Sequence, residues 1–103
     1  MSITTATVTT VGNTVYTSSG NTAITWLSLN NWGPGNATAN LFVVPSGNLA
    51  STSNQVYYSL LLSSGDTYQI YAAAEKLVLG NGDTIQVTAT ANTITAVTSY
   101  TAI

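Results

Sequence analysis

Leu77-Val78-Leu79-Gly80-Asn81-Gly82-Asp83-Thr84-Ile85-Gln86-Val87-Thr88-Ala89 reads as strand, tight turn, strand. A short apolar run leads into Gly80-Asn81-Gly82, residues suited to positive φ. Ile85, Val87 and Ala89 then alternate with Thr84, Gln86 and Thr88, so one face looks inward and the other at water. A lone hairpin is marginal in water. The stretch therefore demands a second apolar sheet to cover it, and the rest of the chain supplies strands of the same kind.

Downstream, Ala91-Asn92-Thr93 turns the chain into a last strand over 94–103, with Ile94, Ala96, Thr98 and Tyr100 on one face. Upstream, Ala72-Ala73-Ala74-Glu75-Lys76-Leu77 favours helix by propensity but is too short to bury a helical stripe, so a loop or single turn is expected there. Strands are expected at 67–72, at 55–62 with Val56, Tyr58, Leu60 and Leu62 sharing a face, and at 37–44 with Ala37, Ala39, Leu41 and Val43 sharing one. The run 22–30 sets Ala23, Thr25, Leu27 and Leu29 against Ile24, Trp26 and Ser28, so bulk falls on both faces. A short extended piece at 15–17 precedes it. The Thr-rich segment 2–11 has no strongly apolar face, which suits an edge strand or an intersubunit arm. Ser64-Gly65-Asp66-Thr67 and Asn81-Gly82-Asp83-Thr84 echo one another, as one turn chemistry used twice.

About eight short strands divided by turns give an all-β fold, an antiparallel β-sandwich in a single domain over 1–103. With 103 residues the chain is too small for two independent cores. It holds 40 Thr, Ser and Asn residues, yet a 45% hydrophobic content and the strand-like alternation argue against disorder. Lys76, Glu75, Asp66 and Asp83 are its four charged residues. A single cation gives phosphates little to meet, so no nucleic-acid partner is expected. No run of about eighteen apolar residues is present, so no membrane partner is expected either, and 1–4 do not read as a secretory signal.

Without His or Cys the chain cannot build a Ser-His-Asp or Cys-His nucleophile or a usual zinc site. Asp66 and Asp83 fall in turns where backbone capping explains them, so no catalytic residue, metal ligand or cofactor is assigned and no enzyme is expected. Calcium would need more oxygen ligands than two turn acids offer. Trp26, Trp32, Tyr16, Tyr57, Tyr58, Tyr68, Tyr71 and Tyr100 invite a sugar-stacking reading, though about half of such rings belong in a sandwich core. Trp32, beside Gly33-Pro34-Gly35, is a large ring in an irregular loop and needs somewhere to go: a subunit or partner contact is favoured over packing on its own sheet and over a sugar. The candidate interface residues are Trp32, Pro34, Trp26, Ile3 and Val8.

The order of several pieces resembles small tailed-bacteriophage virion proteins with an immunoglobulin-like sandwich. These pieces are Val15-Tyr16-Thr17-Ser18-Ser19-Gly20-Asn21-Thr22-Ala23, Trp26-Leu27-Ser28-Leu29-Asn30, Leu41-Phe42-Val43-Val44-Pro45-Ser46-Gly47, and 77–87 of the opening stretch. The resemblance covers roughly residues 13 to 91. It implies an immunoglobulin-like fold without catalytic residues and a role in decorating or cementing a capsid. The implied partners are the major capsid protein and further copies of the chain, a trimer being favoured. The implied place is the virion, after synthesis in the host cytoplasm. A neck or tail adaptor subunit and a carbohydrate-binding module for host attachment are the alternatives.

Overall fold

Alternating apolar and polar residues give eight strands: β1 Ser2–Val8, β2 Asn13–Thr17, β3 Thr22–Asn31, β4 Ala37–Val44, β5 Gln55–Leu62, β6 Thr67–Leu79, β7 Thr84–Ala89 and β8 Ile94–Ala102. A single 3-10 turn, Thr52–Asn54, precedes β5. The computed structural model describes residues 2–103, with backbone alone for 71–76. The strands form two four-stranded antiparallel sheets, ordered β1-β8-β3-β6 and β2-β7-β4-β5. The antiparallel β-sandwich expected from the sequence is the fold.

The connectivity follows one rule. β1 pairs with β8, β2 with β7, β3 with β6 and β4 with β5, so the chain is a long hairpin bent back between β4 and β5. Rolling that hairpin brings β8 beside β3 and β7 beside β4. This is the wrapping of an eight-stranded jelly roll. In an immunoglobulin sandwich the last two strands are neighbours in one sheet. Here β7 and β8 lie in opposite sheets, so within the sandwich class the strand order is that of the jelly roll.

The stretch 77–89 is consequently not a hairpin. Leu77, Val78 and Leu79 pair with β3 in one sheet, whereas 84–89 pair with β2 and β4 in the other. The turn between them is a corner carrying the chain across the sandwich. The turn does reverse the chain, as the sequence predicts, but inward-facing Leu79 and Ile85 belong to facing sheets. Gly82, at φ 86°, makes the corner. The backbone of 72–77, expected as a loop, is part of the 13-residue β6, with a register irregularity between the Ile24↔Leu77 and Trp26↔Ala72 pairs. Sheet pairing overrides the local helix propensity there.

Between the sheets lies the core, with Val8, Ile24, Leu27, Leu29, Leu41, Leu62, Leu79, Ile85, Val87 and Ile94 all essentially inaccessible. Bulges, among them one in each of β2, β3 and β5, decide which residues reach it, because one extra residue flips the face of everything beyond it. In β2, Thr14 pairs with Gln86 and Tyr16 with Ile85, and both Val15 and Tyr16 are buried. In β3, Ile24 pairs with Tyr100 and Trp26 with Ser99, leaving Thr25 to donate from its hydroxyl to the Ser99 carbonyl at 3.2 Å. Ile24 thus joins Leu27 and Leu29 inside, and the expected split of that strand is corrected. In β5, Leu60 pairs with Ala39 and Tyr57 with Leu41, and Ser59 at φ 51° donates its N–H to Asn40 Oδ1 at 2.8 Å. Tyr57 and Leu60 therefore pack on the core, while Val56, Tyr58 and Leu61 face outward.

On β8 the inward row includes Thr98, fully buried, whose hydroxyl has no hydrogen-bond partner. Burying an unpaired hydroxyl costs about 1–3 kcal/mol, and a methyl of similar shape carries no such cost. Thr98→Val is expected to stabilise the protein by about 1 kcal/mol and raise Tm by roughly 4–8 °C. Thermal unfolding followed by circular dichroism checks this, and an unchanged or lowered midpoint contradicts it.

Candidate interaction surface

The corner between β3 and β4 is built on Asn31, the last residue of β3 and fully buried. Its side-chain amide fills all four of its hydrogen-bonding positions. Nδ2 donates to the carbonyls of Gly35 at 2.8 Å and Leu62 at 2.9 Å. Oδ1 accepts from Gly33 N–H at 3.1 Å and from the Thr93 hydroxyl at 2.9 Å. The Asn31 backbone donates to Asp66 O at 2.9 Å and accepts from Gly65 N–H at 2.8 Å. One residue thus ties together the ends of β3 and β5, the corners on either side, and the turn before β8.

That hub fixes where Trp32 stands. Its N–H donates to Thr93 O at 3.0 Å, and Gly33 beside it is buried so closely against Thr93 that a Cβ there would lie 2.7 Å from that side chain. The Ser64 hydroxyl donates to Gly33 O at 2.6 Å. The backbone is held from three sides while the indole is 58% exposed, and Pro34 next to it is exposed as well. The result is an aromatic ring presented on a fixed support.

The other three candidates separate. Ile3 and Trp26 both pair with Ser99, so they occupy one row on the outer face of the β1-β8-β3-β6 sheet. Ile3 is 70% exposed and Trp26 half-buried. Val8 is a correction: it pairs with Ile94 and lies wholly within the core, so it is unavailable to a partner. The first strand is accordingly an integral edge strand ending at Val8, paired with β8 along its whole length. The outward Val56, Tyr58 and Leu61 of β5 were missed as surface candidates, since strict alternation across the Ser59 bulge puts Val56 and Tyr58 on one face with the core-packed Leu60 and Leu62. The run Tyr57-Tyr58-Ser59-Leu60-Leu61, bulky on both faces, was the available signal.

Both turn aspartates act as backbone caps. Asp66 Oδ2 accepts from Ser63 N–H at 3.1 Å, and Asp83 accepts from Gly80 N–H and Ser46 N–H, each at 2.9 Å. Among the described residues no three potential metal-binding side chains come together. At the end of the sandwich away from Trp32 lies an open cleft of about 260 Å³ whose walls include Tyr16, Thr17, Ser19, Thr22, Tyr100 and Thr101. The Tyr16 and Tyr100 rings meet at 4.5 Å. Ser18 donates to Gly20 O at 2.9 Å, so the 2.8 Å contact between Ser18 and Thr22 runs from Thr22 to Ser18. Tyr16 OH donates into the same chain at 3.3 Å from Thr22. Hydroxyls and an aromatic face, without charge, line this cleft.

Compared with known proteins, the chain matches no family model, no curated protein and no solved structure. The resemblance to phage virion proteins therefore rests on the quoted residues.

Asn31→Ala removes two donated and two accepted hydrogen bonds at once, those to Leu62 and Gly33 being buried. It is expected to cost about 3–5 kcal/mol, a large part of the stability of a domain this size. Asn36→Ala, in the exposed part of the same loop, should stay within about 0.5 kcal/mol. Urea unfolding of the two variants checks the contrast, and an Asn31→Ala cost below 1 kcal/mol on the order of surface changes would sink the hub assignment.

Proposed function

We propose that this chain is a structural virion protein that decorates or cements a bacteriophage capsid through protein–protein contacts with the major capsid protein and with its own copies. The observation that carries this reading is Trp32, 58% exposed on a corner whose backbone is pinned by the buried Asn31. A ring on a rigid support loses little conformational freedom when covered, which suits it to anchor an interface. The nearly uncharged sequence supports the same role, because contacts made by apolar atoms and hydroxyls persist at high ionic strength. Jelly rolls build capsid domains and also lectins, an analogy at the level of fold alone. A neck or tail adaptor would use the same surface, and the copy number of this chain relative to the shell subunit separates the two.

The uncharged cleft at Tyr16 and Tyr100 supports a second reading, a carbohydrate-binding module for host attachment. Aromatic faces and hydroxyls are the groups that neutral sugars use.

Trp32→Ala should leave the subunit folded and weaken attachment to particles by about thirtyfold, the equivalent of about 2 kcal/mol for a buried interface ring. Particles lacking the chain should release their genome at a lower temperature than decorated ones. Heating stripped and intact particles side by side, with binding of labelled protein measured in parallel, checks both. Equal genome retention together with lost adsorption to host polysaccharide would instead establish the carbohydrate reading.

A further inference from the structure

The two sheets leave four edges, and three of them are blunted. β2 has five residues with a bulge at Val15. β5 is broken by Ser59 at φ 51°, and the Gln55 side chain donates to its Tyr57 carbonyl at 3.3 Å. β6 has an irregular register and carries Glu75 and Lys76, half of the charged residues in the chain. Bulges, brevity and charge are the usual means by which sheet edges are kept from pairing with another chain.

β1 has none of them. Ser2-Ile3-Thr4-Thr5-Ala6-Thr7-Val8 contains no charge, Pro or Gly, and it pairs with β8 through seven successive residues without a register shift. Alternate residues of an antiparallel strand direct their N–H and C=O away from the existing partner, so about half of β1 offers a regular, unoccupied ladder. We infer that β1 is a docking edge for a second copy of this chain, pairing antiparallel with its own counterpart about a twofold axis at Thr5.

The register follows from the faces. With Thr5 opposite Thr5, Thr4 meets Ala6, Ile3 meets Thr7 and Ser2 meets Val8, so outward residues oppose outward ones and inward residues oppose inward ones. Ile3, Thr5 and Thr7 are the exposed set, and Thr4, Ala6 and Val8 the covered set. The contact is isologous, and no like charges confront each other across the axis. Thr–Thr and Thr–Ile are favourable cross-strand pairs. A partner selected by charge finds none on this strand, whereas a second copy finds a matching one. The two β1-β8-β3-β6 sheets then become one eight-stranded sheet. The assembly is twofold, in contrast to the trimer favoured with the resemblance. This inference deepens the self-association part of the proposed function and rests on that part alone.

A lone strand pair buries less than the roughly 800 Å² per partner of a standard interface, so a weak dimer is expected, with Kd of about 1–100 µM. Sedimentation equilibrium of the wild-type chain should show a monomer–dimer equilibrium that persists in 1 M salt, a concentration on the order of one that screens charges within about 3 Å. Thr5 is exposed, so Thr5→Lys and Thr5→Glu keep the fold while placing like charges across the axis. Each alone should raise Kd at least about tenfold, and a mixture of the two should associate again. Tyr58→Ser on β5 should leave the dimer intact. In hydrogen exchange, β1 amides not bonded to β8 should slow as concentration rises. A monomer at every concentration, a trimer, or a dimer indifferent to Thr5→Lys overturns the inference. A dimer that behaves as described but fails to bind particles overturns the virion reading and leaves this one standing.

Discussion

A side-chain amide at the end of one strand sets the geometry of a whole end of this sandwich. Asn31 is the last residue of β3, and its six hydrogen bonds reach Gly33, Gly35, Leu62, Gly65, Asp66 and Thr93. Gly33 and Leu62 are buried with it, so losing the bond to either leaves an N–H or a carbonyl unpaired at a cost of about 1–3 kcal/mol each. Packing of apolar residues is tolerant of small displacements. A satisfied buried amide is not, and it therefore specifies how the β3–β4 corner, the β5–β6 corner and the β7–β8 turn sit against one another.

The opposite end repeats half of this arrangement. At the β5–β6 corner Asn31 exchanges backbone hydrogen bonds with Gly65 and Asp66, and at the β6–β7 corner Ser18 exchanges them with Gly82 and Asp83. Each turn closes from the Asp N–H to a carbonyl three residues back, and each Asp carboxylate accepts the N–H of that same residue. Each uses a glycine near φ 85°, at 84° and 86°. The two sequence echoes are thus one structural device, placed where β6 and β7 begin and where their partners β3 and β2 end. Because a jelly roll pairs strands far apart in sequence, such docking points hold the β2–β7 and β3–β6 ladders in register.

Alternation made much of the fold legible. The inward rows of β4, β7 and β8 follow strict period two, and their faces could be assigned from sequence. The bulges at Val15, Thr25 and Ser59 could not, because each is an extra residue stabilised by partners distant in sequence. Ser99 receives the Thr25 hydroxyl and Asn40 receives the Ser59 N–H. The same reason hides whether a Gly-Asp turn makes a hairpin or a corner. Leu79 and Ile85 look inward in both cases, and only the sheet partners differ. Trp32 was legible as a ring outside the core by being large and badly placed in a loop, whereas Val8 was not legible as core, since Thr neighbours mask a single buried valine.

With four charged residues, this molecule cannot rely on electrostatic repulsion to control what it touches. Control must come from geometry. Three edges are denied to other strands by bulges, shortness or charge, and the exposed Trp32 is supported by a backbone bonded to Thr93 and Asn31. Directional hydroxyl and amide bonds lose their value with small displacements, so a surface rich in Thr, Ser and Asn distinguishes a matched partner from a poorly matched one by orientation. Such a surface is selective only if the scaffold beneath it is rigid. The buried Asn31 hub and the paired Asp corners supply that rigidity at both ends, and the regular β1–β8 ladder supplies it along the one open edge.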